Sequence, residues 1–160
     1  MNHHKDALVW VLMAFALLLV GAAAYYIITP QLRPSTTLHI GDGVYTAQVA
    51  STPSAQDALI SSATSLNEDQ ANILVYSSNG LWSIPASKLQ NSVDLVWLNS
   101  HKSVVYIVKN ASSALTSSDT FTSRENARYI LELPAGATTN KSITIGSTAS
   151  FDEASTQGGM

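Results

Sequence analysis

No cysteine occurs among the chain's 160 residues. That excludes a disulfide framework, an iron–sulfur site, a thiolate zinc site, a cysteine nucleophile and a lipidated cysteine. Charge is scarce as well: Asp, Glu, Lys and Arg make up 12% of the chain, against roughly a quarter in ordinary soluble domains. The net charge of −3 leaves no basic patch, and no sequence-readable nucleic-acid motif is present, so nucleic acid is not an expected partner. Serines abound, but no G-x-S-x-G elbow or S-x-x-K step accompanies them. Internal repeats are lacking, no cofactor fingerprint is present, and no cofactor is expected.

What the chain does have is apolar sequence, 46% of its residues, giving a mean hydropathy of +0.12. The excess lies near the N-terminus. Residues 7–28, ALVWVLMAFALLLVGAAAYYII, carry neither charge nor proline. As a helix they would span roughly 33 Å, enough for a hydrocarbon core of about 30 Å. Trp10 near one end, and Tyr25 with Tyr26 near the other, sit where interfacial aromatics belong. The spacing predicts a single-pass anchor over 7–29 that contacts the lipid bilayer through 7–28. A short cytoplasmic tail, 1–6, precedes it and a Pro/Ser/Thr linker, 30–37, follows. The rival reading is a cleaved signal peptide, with Ala22, Ala23 and Ala24 as the small-residue cleavage site. Both place the rest of the chain outside the cytoplasm.

From residue 38 to 151 the pattern predicts a compact, mainly β (α+β), mostly antiparallel domain with one or two short helices. A tail, 152–160, reads as disordered. Leu38 to Val49 around Gly41-Asp42-Gly43 reads as a hairpin. A helix follows Pro53, capped by Ser54 with Asp57 three residues on, and Ala58, Leu59 and Ser62 share its stripe. Ile73 to Tyr76 and Leu81 to Ile84 are strands. The centre is Ser92 to Asn110, two strands apolar on both faces around the turn Asn99-Ser100-His101. On the first strand Val93, Leu95 and Trp97 face one way, and Asp94, Val96 and Leu98 the other. On the second, Val104, Tyr106 and Val108 oppose Val105 and Ile107. Residues 111–123 read as a loop. In Ala127 to Leu133, Tyr129, Leu131 and Leu133 oppose a wetter face of Arg128, Ile130 and Glu132. Lys141 to Gly146 and Ser147 to Phe151 close the list of strands.

Two of these stretches carry a resemblance. VDLVWLNSHKSVVYIVKNAS is similar to the central hairpin of the domain of unknown function 192 family, and ARYILELPAGATTNKSITIG is similar to that family's ending. The strand and helix upstream follow in the same order. The resemblance implies a small, mostly β domain, often exported or anchored, and carries no established activity. Departures from the pattern lie at Asp57-Ala58-Leu59-Ile60, in LWSIPASKLQN and at Ser147.

Asp94 is the foremost candidate for chemistry, because a carboxylate at the head of an apolar strand can serve as acid, base or ligand. The alternative is structural: a buried carboxylate that accepts backbone N–H bonds and locks the sheet. Arg128 and Glu132, four apart on one strand, share a face and could form an ion-pair network with Asp94. Trp82 and Trp97 could line a groove, or be core. His39 and His101 lack spaced partners for a metal, and His3 is an N-terminal Cu(II)-type arrangement. Asn110-Ala111-Ser112 and Asn140-Lys141-Ser142 match the glycosylation sequon.

These features predict a non-catalytic binding or scaffolding module at the cell envelope, tethered to the membrane, with Trp82, Asp94, Arg128 and Glu132 as binding residues. Its partner would be an envelope component or protein. The alternative is an envelope-acting enzyme using Asp94 with Arg128 or Glu132. Geometry separates the two: an enzyme needs these groups converging in an open cleft, a scaffold needs them paired and covered.

Overall fold

A computed structural model describes residues 34–62, 64–114 and 120–153, together with Met13, Ala16 and Leu17. The rest of the 7–28 segment, and with it the anchor and His3, lies outside the described residues. Among those described, no helix is long and apolar enough to cross a membrane.

Nine strands and two α-helices, with a single 3-10 turn at Ala86–Lys88, make up the described domain. In chain order they are β1 (Ser35–Ile40), β2 (Gly43–Ala50), α1 (Pro53–Ile60), β3 (Gln70–Gly80), β4 (Ser83–Pro85), β5 (Val93–Leu98), β6 (Val104–Ala111), β7 (Thr120–Thr122), β8 (Ala127–Pro134), α2 (Ala137–Asn140) and β9 (Ala149–Ser150). Seven strands form one sheet in the order β6-β5-β8-β3-β2-β1-β9, and β4 pairs with β7 as a separate ribbon. Every pairing is antiparallel except β2 with β3, which α1 joins as a crossover.

The sheet curls until β6 and β1 meet the same segment. The Val104 N–H donates to the Ser147 carbonyl, the Gly146 N–H to the Val104 carbonyl, and Ser103 bridges Thr148. Two residues further on, Ala149 and Ser150 pair with Ile40 and His39 of β1. Residues 146–150 therefore stitch β6 to β1 and close a barrel, which removes the open edges at that seam. Its interior is lined from all seven strands, with Leu38, Tyr45, Ile73, Val96, Leu98, Tyr129, Leu131 and Phe151 among the buried residues. A second apolar layer covers the outer face, where Leu59 and Ile60 of α1, Ile84 of β4 and Leu89 pack on Leu74, Leu95, Trp97 and Ile130.

The central hairpin forms as the alternation predicts for β5, whose six residues are all buried. On β6 the alternation breaks. Leu98 pairs with Val104 and Trp97 with Tyr106, so Val105 is an extra residue in a bulge. Val104 and Ile107 consequently point inward, while Val105, Tyr106 and Val108 belong to the outer layer. A second bulge follows, since Leu95 pairs with Val108 but Val93 with Ala111. In it, Asn110 adopts a positive φ of 51°.

Other expectations are corrected. The N-cap of α1 is Thr52, whose Oγ1 accepts from the Ala55 N–H with Pro53 in the first turn, and its buried residues are Gln56, Leu59 and Ile60. Ser54 lies inside the helix, and Ala58 is exposed. Within the stretch read as a loop, Thr120–Thr122 pairs with β4 because Phe121 packs under the outer layer. Lys141 to Gly146 is not a strand: Ser142 and Gly146 take positive φ values of 56° and 89°, which bend the segment across the barrel's end. The face of β8 expected to be wetter is covered, with Ile130 0% and Glu132 6% exposed.

Candidate functional site

Asp94 sits in the barrel interior, 0% exposed, at the end where β5 begins and β8 finishes. Its Oδ1 accepts from the backbone N–H of Asn110 at 2.9 Å and of Gly136 at 3.2 Å. Its Oδ2 accepts from the Thr138 N–H at 2.9 Å and the Thr138 Oγ1 at 2.6 Å. Each donor has a local cause. The bulge turns the Asn110 N–H inward, and Gly136 and Thr138 are the N-cap and second residue of α2, whose first-turn N–H groups have no partner within the helix. Asp94 therefore caps α2 from across the barrel and latches the closing turn. Tyr45 lies at the same end, 1% exposed with its hydroxyl buried and without a hydrogen bond; burial, and then the Asp94 charge, push its pKa up.

Glu132 lies on the opposite face of the sheet, paired in register with Asn72 of β3 and Leu95 of β5. Asn72 Nδ2 donates to its Oε2 at 2.6 Å. Burial pushes the carboxyl up to about 7, and the Asn72 bond works against that rise. Arg128 is half-buried at the far end of the barrel. It faces Glu153 at 4.0 Å, with its Cζ 5.8 Å from the Tyr129 ring centroid. The expected network among Asp94, Arg128 and Glu132 is thus not built. Each has a different partner, and Asp94 and Glu132 are separated by the thickness of the sheet.

The two tryptophans divide. Trp97 is 0% exposed, stands edge-on to Tyr106 at 5.4 Å and donates its Nε1–H to the Trp82 carbonyl at 2.9 Å, so it is core. Trp82 is half-buried and stacks on Tyr76 with centroids 4.2 Å apart and planes 11° from parallel. Its Nε1–H donates to the Ser78 carbonyl at 3.1 Å. Leu81 beside it is 59% exposed. Burial, then the Asp57 charge, raise the Tyr76 phenol to about 12. Together Tyr76, Leu81 and Trp82 form an aromatic ledge at the turn between β3 and β4.

Asn72, Tyr76 and Thr138 were not singled out from sequence. Asn72 carried a signal, being a lone amide at the head of the apolar run Ile73 to Tyr76. Thr138 carried none, because its partner lies 44 residues away. His39 and His101 are exposed, and among the described residues no three His, Asp or Glu side chains gather as metal ligands. Both sequon asparagines, Asn110 and Asn140, are exposed.

Comparison with known proteins agrees with this architecture. The family model DUF192, described as an uncharacterized ACR, matches residues 36–151. No curated protein matches the chain. Among solved structures, a "putative transcription regulator" from Sinorhizobium meliloti 1021 superposes with a TM-score of 0.67 at 16% identity, covering 76% of this chain and 98% of that one. A protein of unknown function from Novosphingobium aromaticivorans DSM 12444 gives a TM-score of 0.62 at 14% identity, covering 72% of this chain and 83% of its own.

Proposed function

This chain belongs to the DUF192 family, and on that premise we propose that it is a membrane-tethered, extracytoplasmic module that binds or organises an envelope component without catalysing a reaction. The observation that carries the reading is the dispersal of the polar groups. Asp94 is enclosed by its donors, Glu132 is covered and paired with Asn72, and Arg128 faces Glu153 at the far end. An acid–base mechanism needs two such groups beside one substrate atom. The Tyr76–Trp82 ledge with Leu81, by contrast, offers apolar and aromatic surface to a partner. Tethering is supported by the uncharged run 7–28. A nucleic-acid role is not proposed, because a net charge of −3 offers no phosphate-binding field.

The test uses the full chain. Held in detergent micelles, so that the 7–28 segment cannot itself insert, wild-type protein should pellet with lipid-extracted envelope fragments, Trp82→Ala with Leu81→Asn should abolish pelleting, and Glu132→Gln should leave it intact. Loss of binding only in Glu132→Gln would favour the enzyme. External protease on intact cells should remove a C-terminal tag while the N-terminal part stays in the membrane fraction. A protected tag, or a mature chain beginning at Tyr25, would sink the tether.

A further inference from the structure

At the barrel end opposite Asp94, three donors converge on one carboxylate. Glu153 Oε1 accepts from Tyr129 Oη at 2.5 Å and lies 3.7 Å from Lys102 Nζ, and Oε2 lies 4.0 Å from Arg128 Nη2. The donors are held in place by the fold rather than by Glu153. Lys102 follows the β5–β6 turn at a positive φ of 61°, donates to the Phe151 carbonyl at 2.7 Å and sits 4.2 Å from the Phe151 ring centroid. Tyr129 packs edge-on against the same ring at 5.3 Å. Arg128 Nε–H is buried without an acceptor, and it is Nη2 that faces Glu153.

We propose that Lys102, Arg128 and Tyr129 form a carboxylate-binding site, which Glu153 fills from within the chain until a ligand carboxylate displaces it. Among the described residues, Lys102 and Arg128 both face the Glu153 carboxylate. Both cations stand further off than the roughly 2.7–2.9 Å of a tight charge-assisted bond, so neither ion pair is tight. Its side chain is 39% exposed, and ion pairs that open to water contribute little. The two ion pairs therefore oppose displacement only weakly, and an incoming carboxylate can approach the guanidinium more closely. Both oxygens of a planar carboxylate are matched: one by the phenol and ammonium, the other by the guanidinium.

This rests on the reading of the domain as a binding module, but it uses different atoms from the Tyr76–Trp82 ledge. Envelope pelleting and carboxylate binding can therefore fail separately. The experiment is a titration of the isotope-labelled full chain in detergent micelles, read from the Arg128 and Tyr129 resonances. The probes are N-acetylglutamate α-amide, its neutral glutamine counterpart and inorganic phosphate. Glu153→Gln removes the tethered competitor, so the glutamate probe should bind about tenfold more tightly than in wild type. Adding Arg128→Gln should abolish that binding, and the glutamine probe should be silent throughout. Equal affinity in wild type and Glu153→Gln would overturn the proposal, as would phosphate binding more tightly than the glutamate probe. If Glu153→Gln does not give a native spectrum, the wild type decides. The glutamate probe, and not chloride at equal ionic strength, must then shift the Glu153 and Tyr129 signals together, and their failure to move overturns it.

Discussion

At the scale of single residues, the two buried carboxylates behave differently because their surroundings do. Asp94 is met by donors on both oxygens, so both of its oxygens work as acceptors. Asp94→Asn keeps the size but presents an NH2 group to N–H donors, and should cost roughly 3 kcal/mol in urea unfolding. A variant as stable as wild type, or more so, would return the enzyme to first place. Glu132 has one amide donor, and burial raises it to about 7, above an unfolded value near 4.3. Between those values the folded chain keeps a proton that the unfolded chain has released. Its stabilising contribution is therefore complete below the unfolded pKa and falls as pH rises through the folded one. From pH 4.5 to 7.5 wild type should lose on the order of 3 kcal/mol relative to Glu132→Gln, as read from urea midpoints at each pH. Parallel curves for the two proteins would show that Glu132 is ionised throughout. Asp94 was legible as an intruder in an apolar strand. The burial of Glu132 was not, because alternation along β8 places it beside Arg128 and says nothing of how that face of the sheet is covered.

At the scale of elements, the central hairpin was legible from Val93 to Leu98 because both faces of β5 are apolar and both are covered. Its partner departs from the alternation at one point. A bulge has no composition of its own, so Val105 in VVYIV looks like an ordinary strand residue although it shifts the facing of those that follow. Lys141 to Gly146 failed for a related reason. Ile143 and Ile145 alternate as in a strand, but only Ile143 is buried, and Ile145 is 61% exposed. The hairpin's contribution is testable at Trp97, which supports β4 through the Trp82 carbonyl as well as filling the outer layer. Trp97→Ala should lower stability by about 3–5 kcal/mol. Trp97→Phe should lose less while freeing β4, seen as faster amide exchange at Ser83 and Ile84. A Trp97→Ala midpoint equal to wild type would mean that the ring is not core and would revive the groove.

At the scale of the whole molecule, mainly β character and antiparallel pairing could be read locally, whereas the parallel β2–β3 pair and the closure could not. Both depend on contacts between distant parts of the chain, and short β runs do not encode which edge they will find. Closure rests on one short segment. Residues 146–150 bond to Val104 and Lys102 on one side and pair with His39 and Ile40 on the other, and Phe151 then caps the interior. A chain ending at Ile145 would leave the flanking edges of β1 and β6 bare and remove Ala149 and Phe151 from the core. It should lose its cooperative urea transition, bind a hydrophobic dye and exchange amides of β1 and β6 rapidly. A chain ending at Glu153 retains every one of these contacts and should unfold as wild type does. The comparison separates closure from mere shortening. If the chain ending at Ile145 unfolds cooperatively at the wild-type midpoint, the barrel does not depend on its seam, and the domain is an open curved sheet in which 146–151 is only an appendage.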